Sequence, residues 1–277
     1  MNLNAIRAIK RPLTADEITG WASGDAWLAG GTWLFSEPQP SLETLIDLEQ
    51  LGWPALALSD GGLDIAATCS IATLYGFNPP VQWGAAALIK ECANCLLASF
   101  KIWNAATVGG NICMSLPAGA MISLTVALEA TYELWQRDGT QREIPALDFV
   151  TGNHANVLKP GELLRSIHIP ARSLSKRFAL RHASLTKLGR SAALIVGTQT
   201  GGTGDMLLTI TAATPRPVQI AFPAVPTSIE LRRAIDAAIP GDGYFADPHG
   251  SAPYKHHLTY HFAEQIRQEL AQPAVLA

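Results

Sequence analysis

The sequence predicts an α+β protein made of two regions, residues 1–172 and residues 173–277. Three observations support this fold class. Short apolar segments with the alternating spacing of strands are interspersed with segments that have the spacing of helices. The 23 glycines and 18 prolines divide the chain into many short elements. Hydrophobic residues make up 48% of the 277 residues, which is enough for a sizeable core.

The elements of the first region follow from turn signals and periodicity. Thr14 and Glu17 have the spacing of a capping box, which predicts a short helix over residues 13–23. Strands are expected at residues 27–29, 44–49, 63–67, 131–136 and 162–170, and helices at residues 85–97 and 121–128.

The second region begins where the character of the sequence changes, around residues 173–176. Its predicted strands lie near residues 178–184, 192–198 and 206–212, and its helices at residues 229–239 and 254–270. We expect a smaller α+β unit in which an antiparallel sheet is combined with helices.

Composition limits the classes of function. The net charge of −3 gives no basis for binding nucleic acid or an anionic membrane. Four cysteines are too few for a disulfide scaffold. Because neither a signal peptide nor a membrane-spanning stretch is evident, we expect a cytoplasmic protein. Charged residues are only 16% of the chain, which hints that partners cover part of its surface.

Two pairs of adjacent glycines are the strongest candidates for a binding site. They lie in LAGGT at residues 28–32 and in ATVGGN at residues 106–111. Glycines let the backbone approach a ligand closely, and successive N–H groups can form a nest for an anion. A diphosphate would fit between two such segments. The alternative is that each pair only makes a turn. Neither segment matches a Rossmann or P-loop motif.

With these segments, the chain resembles the FAD-binding (medium) subunit of molybdenum hydroxylases of the xanthine dehydrogenase and carbon monoxide dehydrogenase type. Five landmarks in order carry the resemblance: LAGGTWL (28–34), IWNAATVGGN (102–111), PGELLRSIHIP (160–170), TPRP (214–217) and SAPYK (251–255). The resemblance implies a PCMH-type FAD-binding domain over residues 1–172. It also implies a domain like the C-terminal domain of the CO dehydrogenase flavoprotein over residues 173–277.

The resemblance also implies non-covalent FAD and the residues that bind it. The first segment would wrap the diphosphate, and the second would reach the diphosphate and the ribityl chain. Leu164 would lie against the flavin–adenine cleft, and Arg181 falls where relatives often have a lysine beside the cofactor. The implied cofactor-binding residues are Leu28, Ala29, Gly30, Gly31, Thr32, Trp33, Thr107, Val108, Gly109, Gly110, Asn111, Leu164 and Arg181.

Four positions depart from the family pattern. Trp33 replaces a small or acidic residue, Trp103 an arginine, Leu116 a serine and Ala120 an aspartate. Loss of the aspartate predicts the loss of one hydrogen bond to the cofactor. One such bond contributes about 0.5–1.5 kcal/mol, so FAD binding is expected to weaken rather than disappear.

Other chemistry-bearing residues have plainer interpretations. Cys92 and Cys95 form a C-x-x-C that could be a metal or redox pair, but an apolar helix favours packing. His257 and His261 have the spacing of two zinc ligands, yet no further ligand completes a site.

The resemblance implies an electron-transfer flavoprotein subunit. It would take electrons from iron–sulfur clusters on a partner and pass them through FAD to NAD+ or another acceptor. A large molybdopterin-binding subunit and a small [2Fe–2S] subunit are the implied partners, because four cysteines cannot ligate two clusters. Two alternatives remain open: a stand-alone flavin- or nucleotide-binding module, and a scaffold that keeps the fold without binding.

Overall fold

The structure is a computed structural model that describes residues 3–18, 20–136, 138–186, 189–201 and 204–273. In chain order its strands are β1 (Ala8–Lys10), β2 (Asp25–Leu28), β3 (Thr44–Asp47), β4 (Leu56–Ser59), β5 (Gly62–Ala66), β6 (Thr131–Trp135), β7 (Gln141–Pro145), β8 (Val150–Gly152), β9 (Ala155–Asn156), β10 (Leu163–Pro170), β11 (Arg177–Ser184), β12 (Ser191–Gln199), β13 (Met206–Thr211) and β14 (Val218–Phe222). Its α-helices are α1 (Ile71–Tyr75), α2 (Leu88–Asn94), α3 (Phe100–Ala105), α4 (Val108–Cys113), α5 (Ala120–Ala127), α6 (Ala146–Phe149), α7 (Ala171–Leu174), α8 (Ser228–Ala238) and α9 (Ala252–Ala271). Short 3-10 turns occur at Ala15–Glu17, Glu49–Leu51 and Gly84–Ala87.

A small parallel sheet begins the chain. Strand β3 lies between β1 and β2, and both pairings are parallel. Leu45 and Ile46 of β3 are buried, which holds the sheet against the rest of the molecule. The first glycine segment follows directly after Leu28, the last residue of β2. It therefore lies at the carboxyl end of a parallel strand, the position where open parallel sheets bind ligands.

The second sheet is antiparallel and has the order β4-β5-β10-β6-β7. Its central strand β10 pairs with β5 on one side and β6 on the other. In β6, Tyr132 and Leu134 are buried while their neighbours are half-buried, as the alternation of a strand with one face on the core requires. Helix α5 is buried at all eight positions and is a central element of this core.

The third sheet has the antiparallel order β11-β12-β13-β14. Every residue of β12 is buried, because both faces of this strand are covered. Leu194 and Val196 belong to the same core as α5. Ala193 and Ile195 point to the opposite core, which α8 and α9 complete.

Side-chain hydrogen bonds join the two regions. The hydroxyls of Ser123 on α5 and Thr211 on β13 lie 2.6 Å apart, and both are buried. The Gln219 side-chain amide donates to the carbonyl of Val126 at 2.7 Å. Sheet β11–β14 therefore contributes to both cores. The predicted boundary at residue 172 falls within α7 and stays a prediction.

The predicted fold class is confirmed, but two predicted helices differ from the structure. The helix over residues 13–23 is wrong: only Ala15–Glu17 is helical, and residue 19 lies outside the described residues. Thr14 makes no side-chain cap, and Glu17 instead accepts a hydrogen bond from the amide of Leu13 at 2.9 Å. The helix over residues 85–97 begins as a 3-10 turn, and α2 ends at Asn94.

Within the described ranges, no helix combines the length and the apolar character needed to cross a bilayer.

Candidate functional site

The first glycine segment is a turn with free backbone donors. Gly31 has φ +65°, a left-handed conformation that glycine adopts without strain. A Cβ on Gly30 would overlap the carbonyl oxygen of Ala105, so the absence of a side chain lets this turn pack against the end of α3. The amides of Gly30, Gly31 and Thr32 donate to no acceptor in the part of the chain that the structure describes.

The second glycine segment is the start of helix α4 rather than a loop. The hydroxyl of Thr107 caps the helix by accepting a hydrogen bond from the amide of Gly110 at 3.0 Å. The amide of Val108 donates to the carbonyl of Cys69 and that of Gly109 to the carbonyl of Ala67. The protein itself therefore uses the Gly109 amide, and a contribution of Gly109 to anion binding stays a prediction.

Steric packing explains the glycine at position 109. A Cβ there would lie 2.5 Å from the Cβ of Ala67 and 2.8 Å from its Cα. At Gly110 a Cβ would meet only the Thr107 hydroxyl, at 2.9 Å. Gly110 lines the cleft described next, whereas Gly109 is buried against β5 and the residues that follow it.

Both glycine segments line one cleft with a volume of about 440 Å³. A cleft of this size is within the usual range for ligand sites, about 300–1,000 Å³. Asn111 lies at its wall, where its side-chain oxygen accepts a hydrogen bond from the amide of Met121 at 3.0 Å, so its NH2 group remains a donor. The other lining residues are Trp27, Leu28, Ala29, Gly30, Gly31, Thr32, Trp33, Leu34, Ser36, Leu96, Leu97, Ala98, Ile102, Ala106, Thr107, Gly110, Cys113, Met114, Leu116 and Arg190.

A second cavity of about 480 Å³ adjoins this cleft. The two share five residues in their walls, namely Leu96, Leu97, Asn111, Leu116 and Arg190. The second cavity lies between the two regions of the chain, with His154 on one side and the segment 245–249 on the other. Together the two cavities are lined by residues from the first glycine segment to the segment 245–249.

An ion pair supports the wall that carries Trp27. The indole N–H of Trp27 donates to the backbone carbonyl of Glu162 at 2.9 Å. The carboxylate of Glu162 is buried and pairs with Arg142 at 2.7 Å. Burial alone would raise the pKa of Glu162, but hydrogen bonds from Arg142 and from the amide of Lys159 outweigh it and leave that pKa below its usual value. This charge therefore serves the structure of the wall.

Three predicted site residues lie away from the cleft. Val108 is buried in the core. Leu164 is also buried, within β10, while its neighbour Leu163 lines a different cavity. Arg181 pairs with Glu269 of α9 at 2.6 Å and also donates to Gln265. Although Val108 belongs to the second glycine segment, its side chain faces the core, and none of these three side chains lines the cleft.

The four departures from the family pattern have different surroundings. Trp33 is 38% exposed, lines the cleft and lies near His154, with ring centroids 6.1 Å apart. Leu116 lines both cavities. Trp103 instead packs against the core beside Tyr75, and Ala120 is fully buried at the start of α5. Only two of the four replacements therefore change the surface that a ligand would meet.

The C-x-x-C pair fits a packing role. Cys92 and Cys95 are both buried, and burial raises the pKa of Cys95 to about 12. Such thiols are poor nucleophiles and poor metal ligands at neutral pH. His257 and His261 stack on the exposed side of α9, and no group of three or more potential metal ligands occurs among the described residues.

A family of sequences described as the FAD binding domain in molybdopterin dehydrogenase matches residues 9–172, more than half of the chain. The chain belongs to this family. The resemblance to flavin-binding subunits and the expectation of FAD as cofactor are thereby confirmed.

Two enzymes illustrate the family. Over 197 residues the chain is 29% identical to the carbon monoxide dehydrogenase medium chain of Afipia carboxidovorans, and the match covers 68% of this chain and 67% of that one. Over 121 residues it is 32% identical to the xanthine dehydrogenase of Oryza sativa subsp. japonica, which covers 42% of this chain but only 9% of that enzyme.

Solved structures share this fold over nearly the whole chain. A chain of the Cu,Mo-CO dehydrogenase in its cyanide-inactivated form gives a TM-score of 0.79 at 22% identity, covering 96% of this chain and 99% of that one. A chain of quinoline 2-oxidoreductase from Pseudomonas putida 86 gives 0.76 at 18% identity, covering 98% and 100%. The shared fold therefore includes the C-terminal sheet as well as the flavin-binding region.

Sequence reasoning missed several residues of the site. Arg190 and His154 are far from both glycine motifs in sequence. His154 has φ +55° in the turn between β8 and β9, and its amide donates to the carbonyl of Ser115 at 3.0 Å. No sequence motif marks either residue, because only the packing of β8–β9 and of β12 within the fold brings them to the cavities.

Proposed function

We propose that this chain is the FAD-binding electron-transfer subunit of a molybdenum-containing hydroxylase or dehydrogenase. Its family membership supports this function. The observation that carries the proposal is the row of backbone amides at Gly30, Gly31 and Thr32, which have no acceptor among the described residues and follow a strand at the wall of the cleft. Donors of this kind are suited to an anion such as the diphosphate of FAD.

The residues at the cleft fit this cofactor, bound without a covalent link. The first glycine segment, Leu28 to Trp33, would hold the diphosphate through its amides. The Thr107 hydroxyl and the Asn111 side-chain amide would add donors from the opposite wall. Gly110 would leave space for the cofactor, whereas Val108, Gly109, Leu164 and Arg181 would act at most through packing. FAD supplies reversible acceptance of two electrons, and the chain supplies its position and surroundings.

The partners would be a large molybdopterin-binding subunit and a small [2Fe–2S] subunit. Two [2Fe–2S] clusters take eight cysteine ligands, and this chain has four cysteines. Electrons would enter from the partner's clusters and leave from FAD to NAD+ or another acceptor. The medium-chain name of the Afipia relative supports a subunit of a larger complex.

Reconstitution with FAD tests the cofactor part of this proposal. The purified chain, incubated with FAD and desalted, should keep absorbance near 450 nm. Acid precipitation should then release all of the flavin as FAD into the supernatant. Flavin in the pellet would contradict non-covalent binding, and failure to retain any flavin would contradict the proposal itself.

Co-expression tests the electron-transfer part. The chain should co-purify with the products of neighbouring reading frames that carry molybdopterin and iron–sulfur clusters. The FAD-loaded chain alone should pass electrons from NADH to a dye if the acceptor is a nicotinamide, but should oxidise no xanthine, aldehyde or N-heterocycle. FAD retention without any such partner would instead support a stand-alone flavin module.

A further inference from the structure

The cleft at the glycine segments contains a single formal charge. Of the described residues that line it, only Arg190 is charged, and no carboxylate shares its walls. A diphosphate carries negative charge, so a cleft built only from neutral donors would leave that charge without a counterion.

The two glycine segments do not supply the missing charge. The first offers neutral amides, and the second uses the amides of Val108, Gly109 and Gly110 for contacts inside the protein. A positive side chain on the opposite wall would complete the site.

Arg190 is placed to supply that charge. It is exposed and directly precedes β12, the strand that is buried along its whole length. The Arg190 side chain lines both adjoining cavities. Within the described ranges, Arg190 forms no ion pair.

The nearest acidic residue in the adjoining cavity is already neutralised. Asp247 forms an ion pair at 3.0 Å with Lys255, whose side chain is fully buried. Its carboxylate also accepts a hydrogen bond from the amide of His249 at 2.9 Å. Asp247 therefore does not compete strongly for the guanidinium of Arg190.

We propose that Arg190 binds the diphosphate of FAD from the side opposite the first glycine segment. This inference rests on the proposed function. A guanidinium can hold a phosphate through two parallel hydrogen bonds, which a lysine cannot reproduce. The cofactor is then held between the two regions of the chain, and residues after 172 take a direct part in binding it.

Binding titrations with three probes test the inference on the full chain. FAD and ADP carry a diphosphate, whereas riboflavin does not. Arg190→Gln should weaken FAD and ADP binding by about tenfold to a hundredfold, the usual effect of removing a charged hydrogen-bond partner. Riboflavin binding should change less than twofold. Arg190→Lys should keep part of the affinity and most of its dependence on salt concentration.

Arg233→Gln is the matched control, because Arg233 is exposed on α8 and lines none of the cavities near the cleft. Equal weakening of riboflavin and FAD by Arg190→Gln would overturn the inference, as would FAD affinity within twofold of wild type. A wild-type chain that binds no FAD would reject the proposed function itself, and this inference with it. Circular dichroism of each apo variant confirms that the comparison is between folded proteins.

Discussion

The two glycine pairs look alike in sequence but are used differently in the structure. In the first, Gly30 and Gly31 form a turn whose amides remain free at the cleft. In the second, Gly109 and Gly110 form the first turn of α4, and their amides bind the carbonyl of Ala67 and the hydroxyl of Thr107. The first pair therefore provides hydrogen-bond donors for a ligand, while the second pair leaves room for one in the cleft.

Within each pair, a Cβ on one glycine would meet backbone atoms, whereas a Cβ on the other would meet only side chains. Gly30 lies against the backbone of Ala105, and Gly109 lies against Ala67. A Cβ on Gly31 would meet the side chains of Phe35 and Leu28, and one on Gly110 only the Thr107 hydroxyl. Substitutions of Gly30 and Gly109 should thus act mainly on stability, and those of Gly31 and Gly110 more on cofactor binding.

Gly30→Ala is expected to have the largest effect on stability. Its Cβ would overlap the Ala105 carbonyl oxygen, which belongs to backbone and cannot rotate away. The turn or α3 must shift, and overpacking of this severity costs about 3 kcal/mol. The shift in the midpoint of urea unfolding measures the loss. Gly241→Ala is the control, since a Cβ there meets nothing within 4 Å. Equal midpoints for the two variants would show that the two segments are not in contact.

Gly109→Ala should be the next most destabilising change, by about 2 kcal/mol. The added Cβ meets the Cβ, Cα and carbonyl oxygen of Ala67 at 2.5–2.8 Å. The same urea titration measures it. Combining it with Ala67→Gly removes only the contact between the two Cβ atoms, so the double variant should recover part of the loss. Full recovery would mean that the backbone contacts of Gly109 are unimportant.

Gly31→Ala should cost less, about 1–2 kcal/mol. Its φ of +65° strains a residue with a Cβ, and that Cβ would lie 2.5 Å from the ring of Phe35. An exposed ring can move, so adding Phe35→Leu should relieve the steric part and leave the strain. If the double variant is as stable as wild type, the backbone conformation contributes nothing.

The difference between the two pairs could not be predicted from the sequence. The motifs located the cleft, since both line it, and most strands and helices lie close to their expected positions. The second segment was expected to be a loop, but it forms the start of α4, which the Thr107 side chain caps. Adjacent glycines disfavour helix interiors, so the sequence around Thr107 does not predict a helix. The opposite error occurred at residues 13–23, where Thr14 and Glu17 have capping-box spacing but Glu17 binds the amide of Leu13 instead.

Residues that tertiary packing brings to the site could not be predicted from the sequence. Arg190 reaches the cleft because β12 is buried between two cores, and nothing in its local sequence marks that position. Arg181 is a second example. It falls where relatives often have a lysine beside the cofactor, but in this structure it pairs with Glu269 on α9. Whether the side chain of a strand residue can reach a ligand depends on which helix packs against that strand. A local sequence motif does not contain this information.

Gly110→Val should have the smallest effect on stability but the largest selective effect on FAD binding. A Cβ at this position meets only the Thr107 hydroxyl, and the remaining space is the cleft itself. Loss of the cap costs about 1 kcal/mol, while valine suits a helix slightly better than glycine, so the net loss of stability should be under about 1 kcal/mol. The two methyl groups, however, would occupy space that the cofactor needs. Flavin retained after desalting should therefore fall sharply, while circular dichroism and the urea midpoint stay close to wild type.

Two variants serve as controls for Gly110→Val. Gly241 is exposed and lies away from the cleft, so Gly241→Val should retain flavin normally. Thr107→Ala removes the cap and one proposed donor to FAD but does not fill the cleft, so it should lose less flavin than Gly110→Val. If Thr107→Ala loses as much flavin as Gly110→Val, filling the cleft adds nothing to the loss, and the proposed role of Gly110 in leaving space for FAD is wrong.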